Sequence, residues 1–556
     1  MKNTLLLCFA FCLSNEYSFA QASFSTIDSI NINNINASVL VHGDMWWNGN
    51  GSNYLHKCMY PNGSQKNISF AGALWMSAYD AGNQLHIAAQ TYRQDGNDYW
   101  PGPLDASDTL TYATSYAWAK IWKVNLTDID TFLTSPTHTT TNTPPSILTW
   151  PGKGNVNAQG NGGSPLTIIT DMAPFVDLNG NGIYEPLLGE YPLIKGNQTL
   201  WWVFSDNGPV HSQTNGKPLG VEVHAMSYAF KRGSLIDNVV YYEYDMINKS
   251  AHNYINSRIG IWNDVEIGYA LDDYIGFDST LRMGIAYNGT NCDGCSAGNP
   301  TNSYGLNPPQ CALTMIVLPG DVGTNYVPAG SFTTYENDFS ILGNPSNDTQ
   351  YNNYMRSKVS NGQSIASVYL NDTLPYPCGH HDSTEVINYV YPGDPSDTAA
   401  WSECACHLNA FDARFILSSN DFSFNSGTTQ KFVFAMIVAD SAGGCPATNF
   451  DKIKILADTA WVNYHQHASS VKNIVTNNAL NIYPNPAHNQ INIETSGITT
   501  GEETITFYNI IGQKLNVNIT RLANERVADI SNLPNGIYLV AYNNGTIQKT
   551  VKVIKE

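Results

Sequence analysis

Val221-Glu-Val-His-Ala-Met-Ser-Tyr-Ala-Phe230 is followed, one short turn later, by Val239-Val-Tyr-Tyr-Glu-Tyr-Asp-Met246. Alternation in the first run sets Val221, Val223 and Ala225 on one face and Met226, Tyr228 and Phe230 on the other. Both faces are apolar, so the run reads as a strand covered on both sides, and the next run reads as its antiparallel neighbour. Ser257–Trp262 continues the series as a third strand of a meander. Upstream, Gly72–Ala78 and Leu85–Tyr92 flank the turn Asp80-Ala-Gly-Asn83, a hairpin pattern. Downstream, the apolar strands Ala413–Ser418 and Gln430–Val438 lie either side of Asn425-Ser-Gly427. The spacing predicts one substantial helix near 449–465, with Phe450, Ile453, Ala457, Ala460, Trp461 and Tyr464 on one face, Thr448 as cap and Asp451 in the first turn. Coming just after the last strands, it is expected to cover a sheet edge or end. Thr127-Asp-Ile-Asp130 has the form of a capping box for a short helical turn over 128–133. Residues 134–165 and 286–310 read as long surface loops. The fold class is therefore all-β, mostly antiparallel β-sandwich, with one helix on the C-terminal side.

Composition agrees with that class. Only 13% of the 556 residues are charged, while Tyr, Asn, Gly and Thr abound, which favours strands and turns over helices. The net charge of −19 argues against nucleic acid or an anionic membrane as partner, since both demand a basic footprint. An acidic chain suits solubility and divalent cations.

Both ends read as targeting segments. Met1-Lys2-Asn3, the apolar Leu5–Leu13 and Ser18-Phe19-Ala20 before Gln21 make a secretory signal peptide over 1–20, too short for a membrane span. Phe11 before Cys12 argues against a lipoprotein site, and no other stretch is apolar enough to span a bilayer. Of ten Cys, Cys8 and Cys12 fall in the leader, and the even number remaining in an exported chain favours disulfides. At the far end stand Asn481-Ile-Tyr-Pro-Asn-Pro-Ala487, Ile491-Asn-Ile493, Tyr508-Asn-Ile-Ile-Gly-Gln-Lys-Leu515, Ile530-Ser-Asn-Leu-Pro-Asn-Gly-Ile-Tyr-Leu-Val540 and Lys549-Thr-Val-Lys-Val-Ile-Lys555. These short runs, split by turn residues, suit a small β-sandwich.

In the order and spacing of those motifs, residues 481–556 resemble the C-terminal sorting domain (type A) of type IX secretion cargo in Bacteroidota. The resemblance implies engagement of the outer-membrane translocon, removal by a sorting peptidase and replacement by a lipopolysaccharide anchor. The body resembles an uncharacterised family of such cargo through Gly72–Tyr79, Ala89-Gln-Thr-Tyr-Arg-Gln94, Tyr99–Leu104, Ile121-Trp-Lys-Val124, Pro174–Pro192 and Trp201-Trp-Val-Phe204. Val221-Glu-Val-His224, Leu271–Asp278, Tyr391–Pro395 and Asp412–Ser419 continue the match, with a departure at Ala413, where the family carries a basic residue. That family brings no established activity. The organisation is then a signal peptide (1–20), a β-rich extracellular body (21–470) of one unit or two sub-domains, a linker (471–480) and the sorting domain (481–556).

Asp177-Leu-Asn179-Gly-Asn181-Gly182-Ile183-Tyr-Glu185 carries the clearest site chemistry. Oxygen ligands at alternate positions, Gly at the sixth and the Ile183 carbonyl at the seventh reproduce half of a calcium loop. The twelfth position is Leu188, so Glu185 or Glu190 must supply the remaining carboxylate. A loop held by its own Asx turns is the simpler alternative. Asp264, Glu266, Asp272, Asp273 and Asp278 form a second acidic cluster, read as a further Ca2+ site or a solvated acidic loop. Asp272 and Asp273 are also the candidates for a glycoside-hydrolysing pair. Cys378, His380, His381, Cys404, Cys406 and His407 have zinc-like spacing, but export favours disulfides with surface His. Trp46, Trp47, Trp75, Trp100, Trp201 and Trp202 read as core rather than as a sugar-stacking platform. There is no Gly-x-Ser-x-Gly, His-Glu-x-x-His or phosphate-loop motif, which tips the reading away from an enzyme. The expected function is an extracellular or surface-attached, calcium-stabilised structural or adhesive protein. The alternatives are a secreted polysaccharide-acting hydrolase and a non-catalytic glycan-binding protein.

Overall fold

The computed structural model describes residues 26–47, 58–92, 96–323, 325–369, 378, 386–467, 480–495, 504–509, 513–521, 525–543 and 548–556. The signal peptide and almost all of the linker lie outside them. The chain divides into two compact units, Met1–Gln466 and His467–Glu556.

The large unit is built on two antiparallel sheets whose strands are mostly long and buried. Val221–Ala229 and Val239–Asn248 pair as predicted, with Val221 opposite Asn248 and Ala229 opposite Val240, and Gln198–Ser205 adds an unpredicted strand on the other side of the first. Thr429–Ala439 and Gln310–Val317 extend this sheet. The second sheet is centred on Asn67–Tyr79 and Tyr254–Val265, with Ala413–Ser419 and Ala329–Glu336 beyond. The hairpin Asn67–Tyr79/Leu85–Ala88 forms as expected, its turn tied by Asp80 Oδ1 accepting from the Gly82 and Gln84 amides. The third predicted strand leaves the meander: Tyr254–Val265 crosses to the opposite sheet. Ala413–Ser419 and Thr429–Ala439 likewise serve different sheets, so Asn425–Gly427 joins sheets rather than closing a hairpin.

The inner faces share one core. Trp46 Nε1 donates to the Tyr242 hydroxyl at 2.9 Å, and Phe277 on one sheet stacks on Phe332 of the other at 5.0 Å. Gly72 is needed where Trp46 crosses, because a Cβ there would stand 2.4 Å from the indole. Val221, Val223 and Ala225 face this interior. Their opposite face is covered too, as the alternation requires: Tyr228 stacks on Tyr241 at 4.9 Å, and the Tyr241 hydroxyl donates to the Ala460 carbonyl at 2.8 Å. The covering element is the helix Asp451–His467. It therefore lies on the sheet's outer face rather than at an edge. Its first turn is tied by Asn449 Oδ1, which accepts from the Asp451 amide at 3.0 Å, while the Thr448 hydroxyl accepts from Gln310 instead.

Short helices add to the predicted long one. Leu126–Thr134 begins two residues earlier than the motif suggested, with the Asn125 amide donating to Asp128 Oδ2 at 3.2 Å. The supposed surface loop over 134–165 contains the helix Pro145–Leu148 and the fully buried Trp150, which packs 6.2 Å from Trp201. A large apolar ring there wins over the local Thr/Pro/Gly composition.

The small unit is a sandwich of two four-stranded antiparallel sheets around Ile491, Ile493, Phe507, Ala528, Val540 and Val553. Its Tyr-Pro-Asn-Pro motif has a mechanical role. Asn485 Nδ2 donates to the Lys552 carbonyl at 2.8 Å, and its Oδ1 accepts from the Ile554 amide at 2.9 Å, pinning the final strand.

Candidate functional site

The loop from Asp177 is closed at its base by the two-stranded ladder Phe175–Val176/Tyr191–Pro192. Beneath it the Tyr184 hydroxyl donates to the Ile147 carbonyl at 2.8 Å, and Trp150 Nε1 donates to the Pro174 carbonyl at 3.0 Å. The loop thus stands on a buried aromatic floor. Gly180 and Gly182 take positive φ (75° and 73°), which lets the chain coil tightly enough for alternate side chains to converge. Asp177 Oδ1 accepts from the Gly180 amide at 2.7 Å and Oδ2 from the Gly182 amide at 2.8 Å. Those N–H groups, Gly182 foremost, hold its carboxyl below the usual carboxylate range. Asn179 Oδ1 and Asn181 Oδ1 accept from the Asn181 and Ile183 amides.

The two glutamates sit differently against the loop. Glu185 Oε2 accepts from Asn179 Nδ2 at 2.9 Å and from Asn181 Nδ2 at 2.7 Å. Glu190 is buried at the neck, where its two oxygens accept from the Leu178 and Glu185 amides at 3.0 and 2.8 Å. Burial raises the Glu190 pKa. Leu188 points to solvent. No Lys or Arg among the described residues forms an ion pair with Asp177, Glu185 or Glu190. The donor set is all oxygen, which matches a hard cation such as Ca2+ rather than a thiophilic metal. No three His, Cys, Asp or Glu side chains among the described residues gather in a metal-binding group.

The second acidic cluster is distributed instead of gathered. Asp264 accepts from the Tyr92 hydroxyl and lies 3.5 Å from Arg414 Nη2, its cross-strand neighbour. Burial pushes its carboxyl up to about 7 against the pull of Arg414. Glu266 Oε2 accepts from Asn67 Nδ2 at 2.7 Å. Asp272 Oδ2 accepts from the Gly294 amide and Asp273 Oδ2 from the Ile267 amide, both at 2.8 Å. Burial raises both, Asp273 well above the ordinary range. Asp278 caps its turn by accepting from the Thr280 and Leu281 amides and pairs with Lys454 at 3.4 Å. Each carboxylate has its own local task. Sequence reasoning missed Arg414 and Asp293, the latter pushed up to about 6 by burial while it accepts from the Tyr269 amide. Asp293 holds loop amides, and Arg414 reaches Asp264 and Tyr92 from other parts of the chain, so no local spacing marks them.

Cys292–Cys295, Cys378–Cys406 and Cys404–Cys445 are disulfides. The zinc alternative therefore has no thiolates to draw on among them; His380 and His381 lie outside the described residues. Cys58 and Cys311 remain buried thiols. Trp46, Trp75, Trp201 and Trp202 are fully buried, Trp100 nearly so, and Trp47 stacks on Phe70 at 5.5 Å. The six indoles are packing groups.

Residues 481–556, the small sandwich, match the model of the secretion system C-terminal sorting domain. This chain is a type IX secretion cargo. As such a cargo it is exported across the outer membrane to the cell surface or the extracellular space, and its sorting domain interacts with the type IX machinery. No helix among the cargo's described residues is long and apolar enough to cross a membrane. No curated protein matches the chain. Among solved structures it is similar to a polysaccharide lyase at 8% identity and a TM-score of 0.19, over 69% of this chain and 38% of that one. So loose a superposition transfers neither fold nor chemistry to the cargo.

Proposed function

We propose that this type IX cargo is a calcium-stabilised structural or adhesive protein of the cell surface or its surroundings, with a non-catalytic body. The observation that carries the reading is the convergence of Asp177, Asn179, Asn181 and Glu185 without a cationic side chain to balance them. Both carboxylates are held by N–H donors alone, which leave their charge unneutralised, and a bound cation would supply that compensation. The cation then ties a surface loop to the Trp150 and Tyr184 floor. The hydrolase alternative needs two carboxylates flanking an open cleft. Asp272 and Asp273 are buried and each holds a backbone amide, which favours a structural role for them. In the same reading a sorting peptidase removes residues 481–556 and a lipopolysaccharide anchor takes their place.

Thermal unfolding of the mature protein in calcium and in chelator tests the proposal. A ligand at 100 times its Kd stabilises by about 2.7 kcal/mol, so calcium is expected to raise Tm by a few degrees. Asp177→Ala, which also releases the Gly180 and Gly182 amides, should give the same Tm in calcium as in chelator. An identical Tm in calcium and chelator would overturn the calcium reading.

A further inference from the structure

A cavity of about 380 Å³ opens between the helix Asp451–His467, the turn 279–282 and the segment 326–328. It is at the lower end of the roughly 300–1,000 Å³ range of small-molecule sites. Trp461 and Tyr326 meet at its mouth as an aromatic corner, ring centroids 5.2 Å apart and planes at 80°. Tyr326 is 37% exposed, so the corner reaches solvent. His465 stacks on Trp461 at 4.0 Å and holds the indole in place. The back wall is rigid. Arg282, itself at φ 50°, donates from Nη1 to both Asp321 oxygens at 3.1 and 3.0 Å and from Nη2 to the Ile316 carbonyl at 2.7 Å. A non-glycine residue held at positive φ by such a network is a feature that clusters at binding sites.

The charges decide what fits. Arg282 is the cation among the lining residues, and Asp321 already neutralises it, so the cavity offers nothing to an anionic ligand. Asp458 on the helix lines the cavity and has no ion-pair partner among the described residues, leaving its oxygens as acceptors. Thr280 adds a hydroxyl at the rim. Both groups are exposed, so they stand ready at the rim to bond a guest's hydroxyls. A neutral pyranose uses all of them: its C–H face lies on an aromatic ring, and its hydroxyls donate to the carboxylate and exchange hydrogen bonds with the threonine. We propose that this cavity binds a pyranose unit of a neutral polysaccharide. The inference rests on the adhesive half of the function proposed above, and supplies its ligand class.

Isothermal titration of the full mature protein with soluble β-glucan, xylan and mannan tests it, with a polyuronate as charged control. Binding of at least one neutral glycan is expected, weakened at least about tenfold by Trp461→Ala and severalfold by Asp458→Asn. The second variant changes an exposed side chain and should leave Tm unaltered, which separates loss of the site from loss of the fold. Failure of all three neutral glycans, binding of the polyuronate alone, or binding that survives both substitutions would overturn the inference. A protein that keeps its calcium-dependent Tm yet binds no glycan would overturn this inference alone.

Discussion

A chain ending at residue 480 is expected to fold its body yet fail to leave the cell in a host with type IX machinery. The reasoning is structural. The sorting sandwich has its own core of Ile491, Phe507, Ala528 and Val540, and forms a compact unit separate from residues 1–466. Its removal takes no strand from either large sheet. Secreted and surface-exposed protein should therefore fall to background in a fractionation assay, while the retained body keeps the protease resistance and Tm of the full-length protein's body. Undiminished secretion of the truncated chain would contradict the role of residues 481–556.

The second large effect is on pH. Burial raises the carboxyls of Asp273, Asp264 (to about 7) and Glu403 (to about 8). In the unfolded chain these groups titrate near roughly 4. Between those limits the native state holds protons that the unfolded state has released, so stability falls as pH rises. The contribution is whole below the ordinary carboxylate range and lost as pH passes through 7 to 8. Glu403 is the cleanest probe, because it lies outside the acidic clusters and docks the 402–408 loop by accepting from the Ile275 amide. Its other oxygen, Oε1, is buried without a hydrogen bond. A proton retained in the fold but lost from the unfolded chain is worth about 1.4 kcal/mol for each pH unit of that interval, so Glu403 alone accounts for several kcal/mol. Tm should fall from about pH 5 to about pH 8, and Glu403→Gln should flatten that fall mainly by raising Tm at the upper end. A flat profile in the wild type, or an unchanged slope in the variant, would contradict a buried, protonated Glu403.

Local patterns in the chain carried much of this fold. Period-two alternation located the strands at 221–229 and 239–248, and the two-sided burial of Val221–Phe230 is visible in the sequence because both of its faces are apolar. The Tyr-Pro-Asn-Pro and Leu-Pro-Asn-Gly motifs marked the small sandwich. The helix face was legible at 3.6-residue spacing, Trp461 included. Sheet membership was not, because Tyr254–Val265 has the same alternation whichever sheet it joins. Trp150 was hidden in a stretch whose Thr, Pro and Gly content describes its neighbours and not its burial. The cap went to Asn449 because a partner distant in sequence, Gln310, takes the Thr448 hydroxyl.

The candidate sites divide along the same line. The candidate loop was readable because its oxygen-bearing side chains are alternate residues of one short segment, and only the placement of Glu185, rather than Glu190, beside the asparagines needed three dimensions. Asp264 to Asp278 looked like one cluster because they are close in sequence. Their real partners, Arg414, Asn67, Gly294 and Lys454, come from four other segments. The aromatic cavity was invisible for the opposite reason: Thr280, Tyr326 and Trp461 are far apart in the chain.

The most direct measurement is the number of calcium ions bound per chain, by elemental analysis after equilibrium dialysis of the mature protein against millimolar calcium. One ion per chain is expected for the wild type and none for Asp177→Ala combined with Glu185→Ala. A wild-type chain that remains metal-free, or a double variant that keeps its ion, would contradict a calcium site in the Asp177–Glu185 loop.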